Sequence, residues 1–378
     1  SAMKNLFIKF AMILLLLTAV SYFFSTQLIQ EYYPHQSQRS VRIGVIFNGN
    51  KMDGGWNEAQ YQGFEAIRKE MGLEIIYREY VPDMDDQVAQ QVMEDMVKKD
   101  HVEILFASSY NYGPALQRVA EEYPEVKFLH VSGNHTGTNL ATYFGRIYQA
   151  RYLTGIVAGM QTKTGHIGYV AAFPIPEVIR GINAFTLGAR SVNPAAVVHV
   201  RWSETWNDSG RELAATSSLL ATYPIDVLAQ HQNTTYPMQA AQTRGGVQVI
   251  GYNLDRSADF PDIFLTAPVW NWGAFFKARL QECFEGRFKG RAYFEGYEKD
   301  VFDIAPLSPL VKPEAAAKVD EAREKLRSGT WDVFYGPVYD QQEKLRIKSG
   351  ENISDKELLG TFDWFVNGVE GSPKGNTR

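Results

Sequence analysis

Short, continuously apolar runs punctuate the chain, at residues 41–47, 74–77, 102–107, 126–131, 166–172, 196–202, 225–231, 247–253 and 262–269. Runs of that length without polar alternation read as β-strands buried on both faces. Between them the apolar residues fall at helical spacing: Phe64, Ile67 and Met71 after Asn57, then Val88, Val92, Met96 and Val97, then Leu116, Val119 and Tyr123. Strands alternating with helices imply an α/β fold built on parallel sheets with right-handed crossovers. A polar pause at Gln161-Thr-Lys-Thr-Gly165 separates two such series, and residues 267–272 read as the return between them. The expected architecture is two doubly wound parallel-sheet lobes joined by hinge strands. Lobe one takes residues 41–160 with about 268–292, lobe two takes 161–267 with about 293–367 including a helix at 314–327, and 368–378 form a loose tail.

A chain of 378 residues with 45% hydrophobic and 21% charged residues can bury cores of that size and is not wholly disordered. Its net charge of -5 gives no global attraction to nucleic acid. Cys283 is the single cysteine, which excludes intrachain disulfides and clustered-thiol metal sites. Residues 1–40 read as a separate leader: an expression scar at Ser1-Ala2, a signal or anchor in which Lys4 and Lys9 precede an apolar run at 10–24, and a polar linker from Gln27 to Ser40. That run is shorter than the roughly 20 residues of a full membrane span. Export is expected, with cleavage and retention both open.

In open α/β sheets a ligand binds beyond the carboxyl ends of the strands. The residues there are aromatic and amide-rich: Asp53-Gly-Gly-Trp56-Asn57, Ser108-Ser-Tyr110, Ser132-Gly-Asn134, Phe173-Pro-Ile-Pro176, Trp202-Ser-Glu-Thr-Trp206, Gln230-His231, Tyr252-Asn253 and Trp270-Asn-Trp272. Five of the seven tryptophans lie in these loops, where packing alone would not collect them. A planar heterocycle would explain the pattern, held between rings and oriented by Asp, Asn, Gln and Ser around its edge. Trp56 is the candidate ring from one lobe, and Trp202, Trp206 or Phe173 from the other.

Each residue also has a structural reading. Asp53, Asn57 and Asp208 can cap helices, Trp56 can staple one, Trp202 can be core, His231 can be a half-buried histidine, and Arg146 can pair with a carboxylate across the cleft. No nucleophile elbow, phosphate loop or zinc-helix motif is present. A Ser-His-Asp set could still be assembled from Ser108, His231 and Asp255, but side chains that merely orient a ligand would look the same. A binding protein without cofactor or metal is expected rather than an enzyme.

From about Arg42 to Gly336 the chain resembles the basic membrane protein family of periplasmic substrate-binding proteins, which includes purine nucleoside receptors of ABC transporters. The resemblance rests on Asp53-Gly-Gly-Trp56-Asn57, Tyr152-Leu-Thr-Gly155-Ile-Val-Ala-Gly159, Gly168-Tyr-Val through Pro176-Glu-Val-Ile-Arg-Gly-Ile-Asn-Ala-Phe185, Val192-Asn-Pro194 and Ile250-Gly-Tyr-Asn-Leu-Asp255. It implies a type I periplasmic-binding-protein fold and capture of a small molecule for a membrane permease; no nucleic-acid partner is expected, and a monomer is the expected state. Asp53, Trp56 and Asn57 carry over as edge acceptor, stacking ring and polar partner. Asn134 and Trp270 stand where the family usually has an aspartate and a lysine associated with ribose, which favours a free base over a nucleoside. Trp202-x-x-x-Trp206 and Gln230-His231 are similar to an adenine-binding subgroup, so adenine is the favoured purine. A ligand-sensing input protein of the same fold is the alternative, and a purine-processing enzyme the more remote one.

Overall fold

The computed structural model describes residues 2–32 and 40–376, which form two units, residues 1–41 and 42–378. The first is a single helix, α1 (Ala2–Tyr32), whose described residues from Met3 to Ser25 are exposed and apolar enough to cross a membrane. At about 1.5 Å per residue that 23-residue stretch matches a hydrocarbon core of about 30 Å. The apolar run is therefore longer than 10–24, because Met3, Leu6, Phe7 and Ile8 extend it in helical form around Lys4 and Lys9. The helix also runs into the expected linker as far as Tyr32; residues 33–39 of that linker lie outside the described residues.

The second unit holds two six-stranded sheets. Its first series is β1 (Arg42–Ile46), β2 (Glu74–Arg78), β3 (Ile104–Ala107), β4 (Lys127–Val131) and β5 (Leu140–Gly145), interleaved with α2 (Trp56–Met71), α3 (Asp86–Lys98) and α4 (Gly113–Glu122). Then α5 (Tyr148–Gln161) leads into the second series: β6 (His166–Ala171), α6 (Pro176–Val192), β7 (Val197–Trp202), α7 (Ser209–Thr222), β8 (Val227–His231), α8 (Tyr236–Arg244), β9 (Gln248–Ile250) and β10 (Phe264–Thr266). The chain returns through β11 (Pro268–Trp270) to α9 (Trp272–Phe284), which packs on α2, and to β12 (Ala292–Glu295). Next come β13 (Phe302–Ile304), antiparallel to β11, and α10 (Pro313–Arg327). A hairpin of β14 (Val338–Tyr339) and β15 (Leu345–Ile347) and a last strand, β16 (Val369–Glu370), complete the unit.

The strand orders are β12-β5-β4-β3-β1-β2 and β10-β9-β8-β6-β7-β16, parallel throughout. Both sheets are covered by helices, which is why strands such as β3 and β8 are buried at every residue. The helix faces follow their periodicity with one difference. In α3 the buried face is Ala89, Met93 and Met96, while Val88 is exposed, because Asp85 accepts from the Val88 amide and fixes it in the first turn at the helix rim.

Three features depart from the sequence expectation. β12 extends to Glu295 in the first sheet by pairing with β5, past the expected boundary at 292. β5 itself had no separate signal, because its apolar run merges into the hinge. The C-terminal residues are not loose: β16 pairs with β7, the Ser372 carbonyl accepts from Trp202 Nε1 at 2.7 Å, and Asn376 makes two hydrogen bonds to the Trp202 backbone. Covering an otherwise open sheet edge gives this segment its order.

Candidate functional site

Two loops meet where the carboxyl ends of the sheets face each other. Gly55 has φ -155 and ψ -113, outside the extended and helical regions, and a Cβ there would lie 2.0 Å from the Asn233 carbonyl oxygen. Only a residue without a side chain lets the first lobe come that close to the second. Asn233 in turn donates its amide to the Trp206 carbonyl at 3.0 Å, so the segments bearing Trp56 and Trp206 are tied to one contact. Further bridges run from Ser132 Oγ to Glu177 Oε1 at 3.4 Å and from the Arg180 guanidinium to the Phe144 ring at 5.1 Å.

On the first lobe Trp56 is half-buried, with Nε1 donating to the Ser108 carbonyl at 2.6 Å. Its ring lies nearly parallel to Phe144 at 6.2 Å and edge-on to Trp270 and Trp272, which stack on each other at 4.2 Å. Ser108 is buried and its Oγ has no partner. Asn57 donates to Asn48 and Asn50, leaving its Oδ1 unpaired. Asp53 accepts from the amides of Gly55, Asn57 and Glu58 at 2.9–3.1 Å, which makes it the cap of α2. Burial raises its pKa while those three bonds oppose the rise.

On the second lobe Trp206 packs against Phe173 at 5.3 Å and His231 at 5.9 Å, and His231 against Tyr252 at 4.5 Å. Gln230 donates to the Thr234 carbonyl at 2.6 Å and keeps Oε1 unpaired; His231 Nδ1 is unpaired as well. The His231 pKa lies well below its usual value because burial disfavours the imidazolium and the Arg151 and Arg180 charges repel it, so the ring is neutral. Asn253, fully buried at φ 72, accepts from Trp270 Nε1 at 3.0 Å and leaves Nδ2 unpaired. Asn is among the few residues that adopt that left-handed backbone readily.

The structure thus brings Trp56, Asn57, Ser108, Phe173, Trp206, Gln230, His231, Asn253 and Trp270 to the facing strand ends. It does not bring Trp202, Asn134 or Tyr110 there. Trp202 is buried against Phe365, parallel at 6.1 Å, because the C-terminal segment claims its indole nitrogen. Asn134 is exposed beyond the bend at Ser132, whose φ of 57 turns the chain outward. Tyr110 is 50% exposed in the short helical turn before α4. Arg146 forms a two-pronged ion pair with Asp355 at 2.6 and 2.7 Å, the structural role considered for it.

Sequence reasoning missed Arg151, Tyr169 and Arg180. Arg151 and Arg180 are almost fully buried, and neither has an ion-pair partner within 4 Å among the described residues. Their signal was present: Arg151 is the one charge in α5, and Arg180 lies on the mostly apolar α6 one turn after Glu177, where a buried cation needs a reason. Those helices pack backbone to backbone: a Cβ on Gly155 would lie 2.0 Å from the Phe185 carbonyl oxygen, and one on Gly188 2.0 Å from that of Tyr152. Two other hollows, about 220 Å³ between α5, α6 and α10 and about 560 Å³ on α7 and α8, contain none of the unpaired buried atoms.

Comparison with known proteins agrees with this architecture. Residues 40–332 match the family model described as ABC transporter substrate-binding protein, PnrA-like. A purine-binding protein of Brucella abortus is 31% identical over 88% of this chain and 94% of its own length. A putative ABC transporter glucose-binding protein of Haloferax volcanii is 36% identical over 88% of this chain and 81% of its own. Among solved structures, a solute-binding protein of an ABC transporter system from Conexibacter woesei superposes with a TM-score of 0.65 at 21% identity, covering 78% of this chain and 98% of that one. One from Aeropyrum pernix gives 0.67 at 16%, covering 84% and 97%. These neighbours share the type I periplasmic-binding-protein fold. The chain belongs to the Bmp family of PnrA-like ABC transporter substrate-binding proteins.

Proposed function

We propose that this protein captures a purine base between its lobes and presents it to an ABC permease on the outer side of the membrane. The observation that carries the reading is that the Trp56–Phe144 and Trp206–Phe173 ring pairs, with unpaired amide, hydroxyl and imidazole atoms, lie on segments that meet at the Gly55–Asn233 approach. Flat apolar faces with a few polar atoms at their edge suit a heteroaromatic ring. The purine-binding relative from Brucella abortus supports the same class.

Trp56 supplies the stacking face and Trp206 with Phe173 closes from the other lobe. Asn57, Gln230, His231 and Asn253 read the edge. Asp53 holds the loop in place, its oxygens being taken by backbone amides. A base without ribose fits the tight approach at Gly55. The adenine preference leaned in part on Trp202, which is turned away, so the proposal is made for purine bases as a class. Because the ligand touches both lobes only when they meet, binding shifts the open–closed equilibrium toward the form a permease would read. The apolar helix α1 serves as export signal or membrane anchor in this reading.

Calorimetric titration with adenine, hypoxanthine, guanine, adenosine and glucose tests it. Saturable binding of free bases, tighter than adenosine and with no response to glucose, is the expected result. Glucose binding without purine binding would move the protein to the class named for its Haloferax relative.

A further inference from the structure

Beside the second lobe lies a buried cation with no direct ion pair, on which the buried Glu177 carboxylate acts only at longer range. Arg151, on α5, is 1% exposed, and its Nη1 donates to the Gln230 carbonyl at 2.8 Å. Its guanidinium lies over the Tyr252 ring at 4.0 Å and 5.5 Å from the Tyr169 ring. Nη2 has no hydrogen-bond partner, and the Tyr252 and Tyr169 hydroxyls beside it are unpaired too. A buried guanidinium donor left unpaired is costly, and two aromatic faces do not supply an acceptor. Asn253 Nδ2, next along the chain from Tyr252, is a second unpaired donor whose amide orientation is fixed by Trp270.

Adenine offers an acceptor at N7 beside a donor at N6, a pattern that amide side chains read; 6-oxopurines offer acceptors at both O6 and N7, the pattern that arginine reads. Resting on the purine assignment above, we infer that Arg151 is a specificity-determining residue that donates through Nη2 to the six-position oxygen of an oxopurine, making hypoxanthine or guanine the preferred ligand class over adenine. Gln230 Oε1, unpaired on the residue whose carbonyl holds Arg151, is placed to accept a ring N–H of the same base.

The test is calorimetric titration of the full chain and of R151Q and R151K with hypoxanthine, adenine and unsubstituted purine, with thermal melts as a folding control. Wild type is expected to bind hypoxanthine at least about ten-fold tighter than adenine. R151Q should lose roughly ten- to a hundred-fold for hypoxanthine while adenine stays within about three-fold, since one hydrogen bond from a charged donor is worth that order. R151K keeps the cation without the planar fork, and its hypoxanthine-to-adenine ratio should fall toward unity. Tighter adenine binding by wild type, an equal loss for all three ligands in R151Q, or an unchanged ratio in R151K would each overturn the inference while leaving a purine receptor intact. If R151Q does not fold, the wild-type and R151K ratios decide alone. Failure of wild type to bind any purine would remove both this inference and the purine assignment.

Discussion

Trp56, Asp53 and Trp202 show how residues with the same sequence signal can serve different ends. All three were candidates for ligand contact, yet hydrogen bonding assigns them to different duties: Asp53 to the amides of α2, Trp202 to the C-terminal segment, and Trp56 to a half-buried position with its face toward Phe144. Replacing Trp56 by alanine should cost about 1–3 kcal/mol of base affinity, as expected for loss of one stacking face, and calorimetry reads it directly. His130 makes a separate prediction. It is buried and contacts the Ser109 carbonyl at 2.8 Å, and burial lowers its pKa from 6.5 to about 4. The unfolded chain therefore takes up a proton there that the native state refuses, so stability is lost as pH falls from about 6.5 to 4, by roughly 3 kcal/mol from this group. Thermal melts should show the acid decline flattened in H130N. Glu212 has the opposite sign: burial raises its pKa from 4.5 to about 8, with Oε2 unpaired. Its stability contribution is present below pH 4.5 and lost as pH rises to 8, so E212Q should melt higher than wild type at pH 8 and not at pH 4.

At the scale of elements, the first turn of α2 and the loop after β8 set how far the lobes close. Gly55 combines φ -155 with ψ -113, a backbone that other residues adopt poorly, and an added Cβ would also meet the Asn233 carbonyl. G55A is expected to lower the melting temperature of the ligand-free protein modestly through backbone strain and to weaken base binding about ten-fold or more by propping the cleft open. Small-angle scattering should show the compaction caused by ligand reduced in that variant, and a normal compaction with normal affinity would refute the role. α5 and α6 contribute in another way. Their backbone contact at Gly155 and Gly188 leaves no latitude between them, which fixes Arg151 and Arg180 beside the strand ends.

Across the whole molecule the residues after the family-matched region act as a strap on the second lobe that also reaches the first at Arg146. Asn183 donates to the Trp364 carbonyl at 2.8 Å and accepts the Val366 amide at 3.0 Å, Arg180 donates to the Leu358 carbonyl, and Asp355 pairs with Arg146 at the end of β5. Removing residues 368–376 should expose Trp202, red-shift its fluorescence and lower the melting temperature by several degrees, on the order of 2–4 °C per kcal/mol lost. Unchanged melting would show that the strap does not stabilise the lobe.

The amino-acid sequence by itself determined the alternation of buried strands and helices, the pause between two series and the aromatic, amide-rich strand ends, because periodicity and turn chemistry are local properties. What it could not determine is which strand-end side chains face the cleft. Trp202 and Trp206 lie four residues apart, yet the first is captured by Ser372 and the second rests on Phe173 and His231. Arg151 looked like one charge in an apolar helix until the fold set it above Tyr252 with one guanidinium nitrogen unpaired. Such choices depend on partners tens to more than a hundred residues away competing for the same side chains, and only the packed molecule resolves that competition.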